Sequence, residues 1–515
     1  VATTFDLSDA MAVEPVGTAG LLVVAPVLVT LLGGGLCLVL RHRTAAQPWI
    51  AGATLLLLAA ANAVLLHGAF VRGPVTVVMG NWLPPFGIAF TVDVLGAGLA
   101  FAASLVALVV TLASVSSINA MERRYGFYAL LLVLMTGVEG AFLTGDVFNL
   151  YVWFEVLLIS SFGLMVIGSS RLQLDGTLKY AVLNLVATTL FLVATALLYG
   201  ALGTLNMADI ALKARAAAEG GEGAPLVAVA GLFFLAFAIK AAAFPVGFWL
   251  PASYHTPHVV VSALMAGLMT KVGVYALLRV LVMLLPVQAA AFSELVVLVA
   301  GATMIFGALG ALAQADIRRM LGFLVVSGVG YMLAGLAIGT AEGLAGAIFY
   351  LIHSMLVTTG LYLVAGLAGR AAGGYDLNAV GGLYAVRPGL SAMFLVLGLA
   401  VAGLPPFSGF WPKLFLFDAA YSAGETWLAT AVLVAGFLTT LVIGRTWLLA
   451  FWRPPREPSE ASAPDSAGFA ATLVLVAGVV VLGFVPDPVY RLAGAAAAGI
   501  LDPTAYLGSV FGAAP

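Results

Sequence analysis

GLFFLAFAIKAAAFPVGFWLPASYHTPHVVVSALMAGLMTKVGVYALLR, residues Gly231 to Arg279, sets two lysines, Lys240 and Lys271, inside apolar runs long enough to cross a bilayer. An ammonium at mid-bilayer costs roughly 2.5–3.5 kcal/mol on insertion scales, so each must face protein or water and reads first as functional. Pro245 follows Lys240 by five residues. It cannot donate to the carbonyl of Ala241 and therefore breaks or kinks the helix beside the charge. Many transporters build ion sites from such a broken helix.

The whole chain fits that reading. Of 515 residues, 63% are hydrophobic and 9% charged, the composition of an all-α polytopic membrane protein rather than a soluble core. The 21 basic and 23 acidic residues are spread over loops with no basic tail, so nothing points to nucleic acid. A single cysteine, Cys37, lies in the first apolar run and excludes a disulfide within the chain. The first 18 residues lack the basic region of a signal peptide, and Val1 is read as an alternative start that would leave the chain complete. No metal-ligand cluster, phosphate loop, cofactor signature or nucleophile arrangement stands out, so neither cofactor nor metal is expected. The chemistry available is proton transfer.

Apolar length and turn residues predict about 14 spans, at 19–40, 50–67, 91–117, 126–143, 147–168, 177–201, 225–250, 257–284, 294–314, 319–339, 343–368, 389–422, 427–450 and 468–485. Twelve loop arginines and lysines, from Arg41 to Arg456, fall on one side; Arg72, Lys213, Arg215 and Arg491 fall on the other. The positive-inside rule makes the first side cytoplasmic and places both termini outside. Asn206 to Ala217 reads as an amphipathic helix on the outer face, and Pro454 to Ser466 as a polar loop.

Glu155, nine residues after the helix-capping candidate Asp146, lies about 13 Å into its span, near the middle of a ~30 Å core. A carboxylate there needs a partner or a proton. It is either a strut in an ion pair or a proton-carrying acid opposite Lys240, and the second reading is preferred. Lys271, about 21 Å into its own span, is too deep to snorkel. Arg279, near the end of that span, is expected to snorkel outward and to be no site. Asp93 and Glu139 are expected to make capping or interfacial contacts, and His255 and His258 to sit in a solvated cytoplasmic turn.

A second interrupted span reads VAGLPPFSGFWPKLFLF. Pro405 and Pro406 end a first half-helix, Gly409 permits unusual backbone angles, and Pro412 suits the first turn of a second half. Lys413 follows at once, where the positive end of a half-helix disfavours an ammonium. His353, mid-span in FYLIHSMLVTTGLYLVAG, is either a hydrogen-bonded core histidine or a relay.

GDVFNLYVWFEV, FAIKAAAFPVGFWLPASY and TKVGVYALLR resemble the proton-conducting, antiporter-like subunits shared by Mrp-type multisubunit Na⁺/H⁺ antiporters and respiratory complex I, and most of all the D-type branch. Complex I relatives usually read LPDAH where this chain has LPASY, Leu250 to Tyr254, which favours the antiporter branch. The resemblance implies 14 helices. Residues 1–125 would hold helices 1–3, 126–284 and 294–450 two inverted five-helix repeats with helices 7 and 12 discontinuous, and 468–515 the last helix and a tail. Residue by residue, Glu155 matches the fifth-helix acid, Lys240 the seventh-helix lysine, Lys271 the eighth, Lys413 the twelfth and His353 an eleventh-helix histidine. Relatives often carry a lysine one turn after that histidine, where this chain has Val357 and Thr358. A hydroxyl there can hold water but cannot take up a proton near neutral pH.

The implied function is proton translocation within a multisubunit Na⁺/H⁺ antiporter of the bacterial plasma membrane, beside a larger A-type homologue and small membrane subunits. The alternative is a proton-pumping subunit of complex I or a membrane-bound hydrogenase. A passive scaffold would leave three central lysines and a glutamate unexplained.

Overall fold

The computed structural model describes residues 18–221, 223–454 and 465–512. The start of the chain and most of the polar stretch expected at Pro454 to Ser466 lie outside the described residues. In chain order the elements are α1 (Thr18–Val39), α2 (Gln47–Arg72), β1 (Val75–Val78), β2 (Ala89–Val92), α3 (Val94–Ser117), α4 (Ala120–Arg124), α5 (Phe127–Leu143), α6 (Val147–Met165), α7 (Arg171–Leu202), α8 (Met207–Glu219), α9 (Ala224–Ala241), α10 (Trp249–Ser253) and α11 (Val259–Leu277). There follow α12 (Pro286–Ala290), α13 (Ser293–Leu312), α14 (Ile317–Ile338), α15 (Ala341–Ala372), α16 (Leu383–Val386), α17 (Pro388–Ala402), α18 (Phe410–Ser422), α19 (Thr426–Thr446), α20 (Ser466–Phe484), α21 (Asp487–Leu501) and α22 (Thr504–Phe511). Among the described residues, twelve helical runs are long and apolar enough to cross a membrane, and the shorter apolar helices α5 and α17 fall in the two remaining predicted stretches. The protein is a multi-pass membrane protein.

Short polar signals start these helices. Asp93, Asp146 and Asp316 each accept backbone N–H groups at the starts of α3, α6 and α14, supplying donors that a helix end leaves unpaired with an acceptor. α8 falls on the expected amphipathic stretch, burying Met207, Ile210 and Ala214.

Two units in the middle of the chain share matching local bonds. The segment before α6 bridges the segment before α8 at Asp146 and Asn206, and 170 residues later Asp316 bridges Asp376 in the same antiparallel manner. The flanking bonds match as well: Val147 N to Leu205 O corresponds to Ile317 N to Tyr375 O. α7 and α15, each 32 residues long, occupy equivalent places. A Cβ at Gly137 would lie 2.7 Å from the amide of Leu157, and one at Gly307 would lie 2.3 Å from that of Ser327, so in both units two helices meet backbone to backbone. α11 and α19 both run on into π-helical turns, at 278–284 and 447–452.

Both units contain a broken helix. α9 ends at Ala242 with φ 65°, and the amide of Ala243 returns to the carbonyl of Ala238; α17 ends at Gly403 with φ 87°, and the amide of Leu404 returns to Leu399. This is the closure of a helix on a left-handed residue. It comes three residues ahead of Pro245 and of Pro406, so the helix has already stopped where the proline begins.

α15 lies at the centre, buried along nearly its whole length and packed against α3, α11, α14, α17, α18, α20 and α21. A helix apolar all round belongs in such a position. The region expected to be a C-terminal tail forms α21 and α22 instead. α21 lies on α15 and α3, and α22 on the short β1–β2 hairpin and α8. That hairpin, with Val75 paired to Val92, was not anticipated from sequence.

Candidate functional site

Lys240 stands in the last turn of α9 and is 3% exposed. Its Nζ makes no hydrogen bond among the described residues and lies 5.6 Å from the centroid of the Phe154 ring on α6. The broken segment beside it is pinned by Trp249 Nε1 donating to Ile239 O (2.9 Å) and by the Phe244 amide donating to Thr303 Oγ1 of α13 (3.0 Å). Glu155, the neighbour of Phe154, is half-buried, and the expected ion pair is not formed in this arrangement: no carboxylate oxygen comes within 4.0 Å of the lysine nitrogen. The aromatic ring takes the place nearest the cation.

Lys271 is fully buried on α11. Its Nζ donates to Ala266 O (2.5 Å) and lies 3.4 Å from Thr358 Oγ1 on α15. Thr358 in turn has the carbonyls of Ala266 (3.1 Å) and Ser354 (2.7 Å) within reach of its one proton. Gly273, two residues further along α11, packs against the backbone of Lys240 and Ala241, which seats α11 directly on the first break. A cavity of about 10 Å³, the scale of one water, adjoins Thr358, Tyr362 and Val401.

His353 is fully buried on the same helix as Thr358. Its Nδ1 is 2.9 Å from Ser408 Oγ in the second break, while Nε2 has no partner. Lys413 donates to the carbonyls of Val401 (2.8 Å) and Ala402 (2.9 Å) and lies 4.6 Å from the Tyr331 ring centroid. This reverses the expected electrostatics. Although Lys413 belongs to the first turn of α18, its side chain folds back onto the C-terminal carbonyls of α17, the negative end of that half-helix, which favours a cation. The fold-back is possible because residue 403 is glycine: a Cβ there would sit 2.5 Å from Lys413 Cδ. A cavity of about 380 Å³ between α17, α18 and α19 reaches Lys413.

The structure therefore brings Lys271 to Thr358 and His353 to Ser408 along α15, holds Lys413 on the carbonyls that end α17, and leaves Lys240 without an ion pair to Glu155. Sequence reasoning missed Ser408, a hydroxyl inside an interrupted span, and the backbone acceptors at Ala266 and Val401, which no side-chain pattern reveals.

Two expectations are corrected. Arg279 does not snorkel: it is 1% exposed, paired with Asp93, donates to Tyr275 Oη (3.0 Å) and lies against the ring of Tyr506 on α22. The helices taken for a tail cover it, and Asp93, while capping α3, gives it a counter-charge. Glu139 makes no interfacial contact: it is wholly buried between α2, α3 and α5. His258 is only partly exposed and sits 2.9 Å from Glu122. Among the described residues there is no group of three or more acidic, histidine or cysteine side chains placed to hold a metal ion.

Residues 144–439 match the family described as NADH:quinone oxidoreductase/Mrp antiporter, TM. The D-type Na(+)/H(+) antiporter subunit of Alkalihalophilus pseudofirmus is 37% identical over 490 residues, covering 95% of this chain and 99% of that protein. Among solved structures, a chain of the Mrp complex from Dietzia sp. DQ12-45-1b superposes with a TM-score of 0.89 at 30% identity, covering 96% of this chain and all of that one. A chain of respiratory complex I from Thermus thermophilus superposes with a TM-score of 0.78 at 26% identity, covering 93% and 99%.

Proposed function

Because the chain belongs to the NADH:quinone oxidoreductase/Mrp antiporter transmembrane family, we propose that it is the proton-translocating D-type subunit of a multisubunit Na⁺/H⁺ antiporter. It works as a transport subunit and not as an enzyme, in a bacterial plasma membrane and beside other membrane subunits, as its likeness to a chain of the Mrp complex supports. Residues 126–284 and 294–450 are its two conducting units. Five crossings separate each helix from its counterpart, so the units run in opposite directions, and both chain termini face outward by the distribution of basic residues.

The observation that carries this reading is the junction of α11 and α15, where Lys271 of the first unit meets Thr358 of the second. Protons reach Lys240 from the cytoplasmic side. An ammonium there, with three donors and no acceptor in the described arrangement, is poorly held. Charging it draws it toward the Glu155 carboxylate, and discharge to Lys271 lets it return over Phe154. From Lys271 the proton passes by Thr358 and water to His353 and Ser408, and then to Lys413, which exchanges with the cavity beside α18. The alternative, a proton-pumping subunit of a redox enzyme, draws on the likeness to complex I; LPASY at Leu250 to Tyr254 weighs against it.

Lys240→Arg tests the carrier role, because arginine keeps the charge but does not release its proton. In everted vesicles with complex content matched on a native gel, Lys240→Arg should lose antiport as fully as Lys240→Ala. Substantial activity in Lys240→Arg would reduce Lys240 to a structural charge.

A further inference from the structure

Glu139 is an intramembrane acid outside the lysine path. It is 0% exposed, and its single hydrogen bond comes from Asn62 Nδ2 to Oε2 at 3.0 Å. Asn62 is equally buried, and the same Nδ2 group also donates to Ala100 O (3.1 Å), fixing the amide between α2, α3 and α5. Two oxygens of this pair, Glu139 Oε1 and Asn62 Oδ1, have no partner among the described residues. Among the described residues, the helices packed on α5 bring it no cation. Arg279 is paired with Asp93, Lys271 is bonded to Ala266 O, and Arg123 donates to the carbonyls of Val115 and Ile118. The remaining titratable neighbours are also committed or distant: Glu122 bonds His258, Asp146 caps α6, Glu155 is half-buried on that helix, and His67 of α2 is exposed.

A carboxylate held by one neutral donor, with no counter-charge, is the least favourable state a buried acid can take. A carboxylic acid removes the problem at once. Its O–H is a donor on the side where Oε1 lacks one, and the one acceptor left over on its bonded partner is Asn62 Oδ1. A bare monovalent cation would need its hydration shell replaced by several oxygens, and two are on offer. We propose that Glu139 and Asn62 form a proton-holding acid–amide pair, in which the carboxyl keeps its proton through the transport cycle, takes no Na⁺, and ties α2 and α3 to the first conducting unit.

This does not depend on the lysine path. The test is infrared difference spectroscopy on the assembled antiporter complex, native against Glu139→Gln and Asn62→Ala, with antiport measured in parallel. Glu139→Gln should remove one protonated-carboxyl C=O band, and Asn62→Ala should shift that same band by removing its hydrogen bond. The band should stay constant across the working pH range and between NaCl and choline chloride. Antiport by Glu139→Gln should remain within about twofold of native, since a neutral amide replaces a neutral acid of the same shape. Should Glu139→Gln not assemble, the Asn62→Ala shift carries the assignment. Absence of any Glu139-dependent protonated band overturns the proposal. So does a band that disappears with Na⁺ or rising pH, or an assembled Glu139→Gln complex that no longer transports.

Discussion

Thr358 and Ser408 are hydroxyls that each meet one buried titratable group. Thr358 reaches Lys271 and two backbone carbonyls, and Ser408 reaches His353. Neither can accept a proton near neutral pH, so each contributes by position, holding a donor or a water in line. Thr358→Val keeps the shape and removes the bonds, as Ser408→Ala does at the other end. Each should slow Na⁺-driven proton movement by roughly tenfold, the equivalent of one hydrogen bond, with normal complex content. Native rates in both variants would take α15 out of the path. The two residues differ in how visible they are. Thr358 lies five residues after the intramembrane His353, so the sequence marks it, whereas Ser408 meets His353 only because a break returns the chain to a helix 55 residues away.

At the scale of elements, α3, α11 and α22 are held by one buried cluster. Asp93 caps α3 and pairs with Arg279, whose guanidinium also meets Tyr275 and Tyr506. Breaking a buried pair leaves a charge without its partner and costs about 3–5 kcal/mol, whereas replacing both members costs far less. Asp93→Ala should therefore lower the thermal stability of the complex markedly, and Asp93→Ala combined with Arg279→Met should restore much of it. Equal stability of the single and double variants would show that the pairing adds nothing. This cluster was misjudged from sequence because distance to a span end is a coordinate along one helix, while Asp93 arrives from 186 residues away. The apolar helices and both broken ones were legible, since length, proline and lysine are local signals. The β1–β2 hairpin, α21 and α22 were not, because their apolar faces have meaning only against partners such as α15 and α8.

At the scale of the whole molecule, two stretches with matching local bonds meet where α11 packs on α15, with further helices on either side of them in sequence. Their kinship was hard to see in the sequence for a physical reason: equivalent positions preserve backbone approach and bridge geometry while changing side chains, so Leu157 corresponds to Ser327 and Asn206 to Asp376. The lysines follow the same rule. Lys413 comes from the second half of its broken helix and Lys240 from the first half of its own, and while Lys413 bonds the carbonyls at its break, Lys240 turns toward the Phe154 ring. On the proposed function a proton crosses between the two stretches where α11 meets α15, and Lys271 is the titratable group that reaches Thr358 there. The most direct measurement is therefore the Na⁺-driven collapse of a pH gradient in everted vesicles carrying the Lys271→Arg complex, matched in content to native. Arginine retains the positive charge and cannot hand on a proton. The account predicts a signal no greater than that of vesicles lacking the complex; a rate close to native would contradict proton transfer between the two units through Lys271.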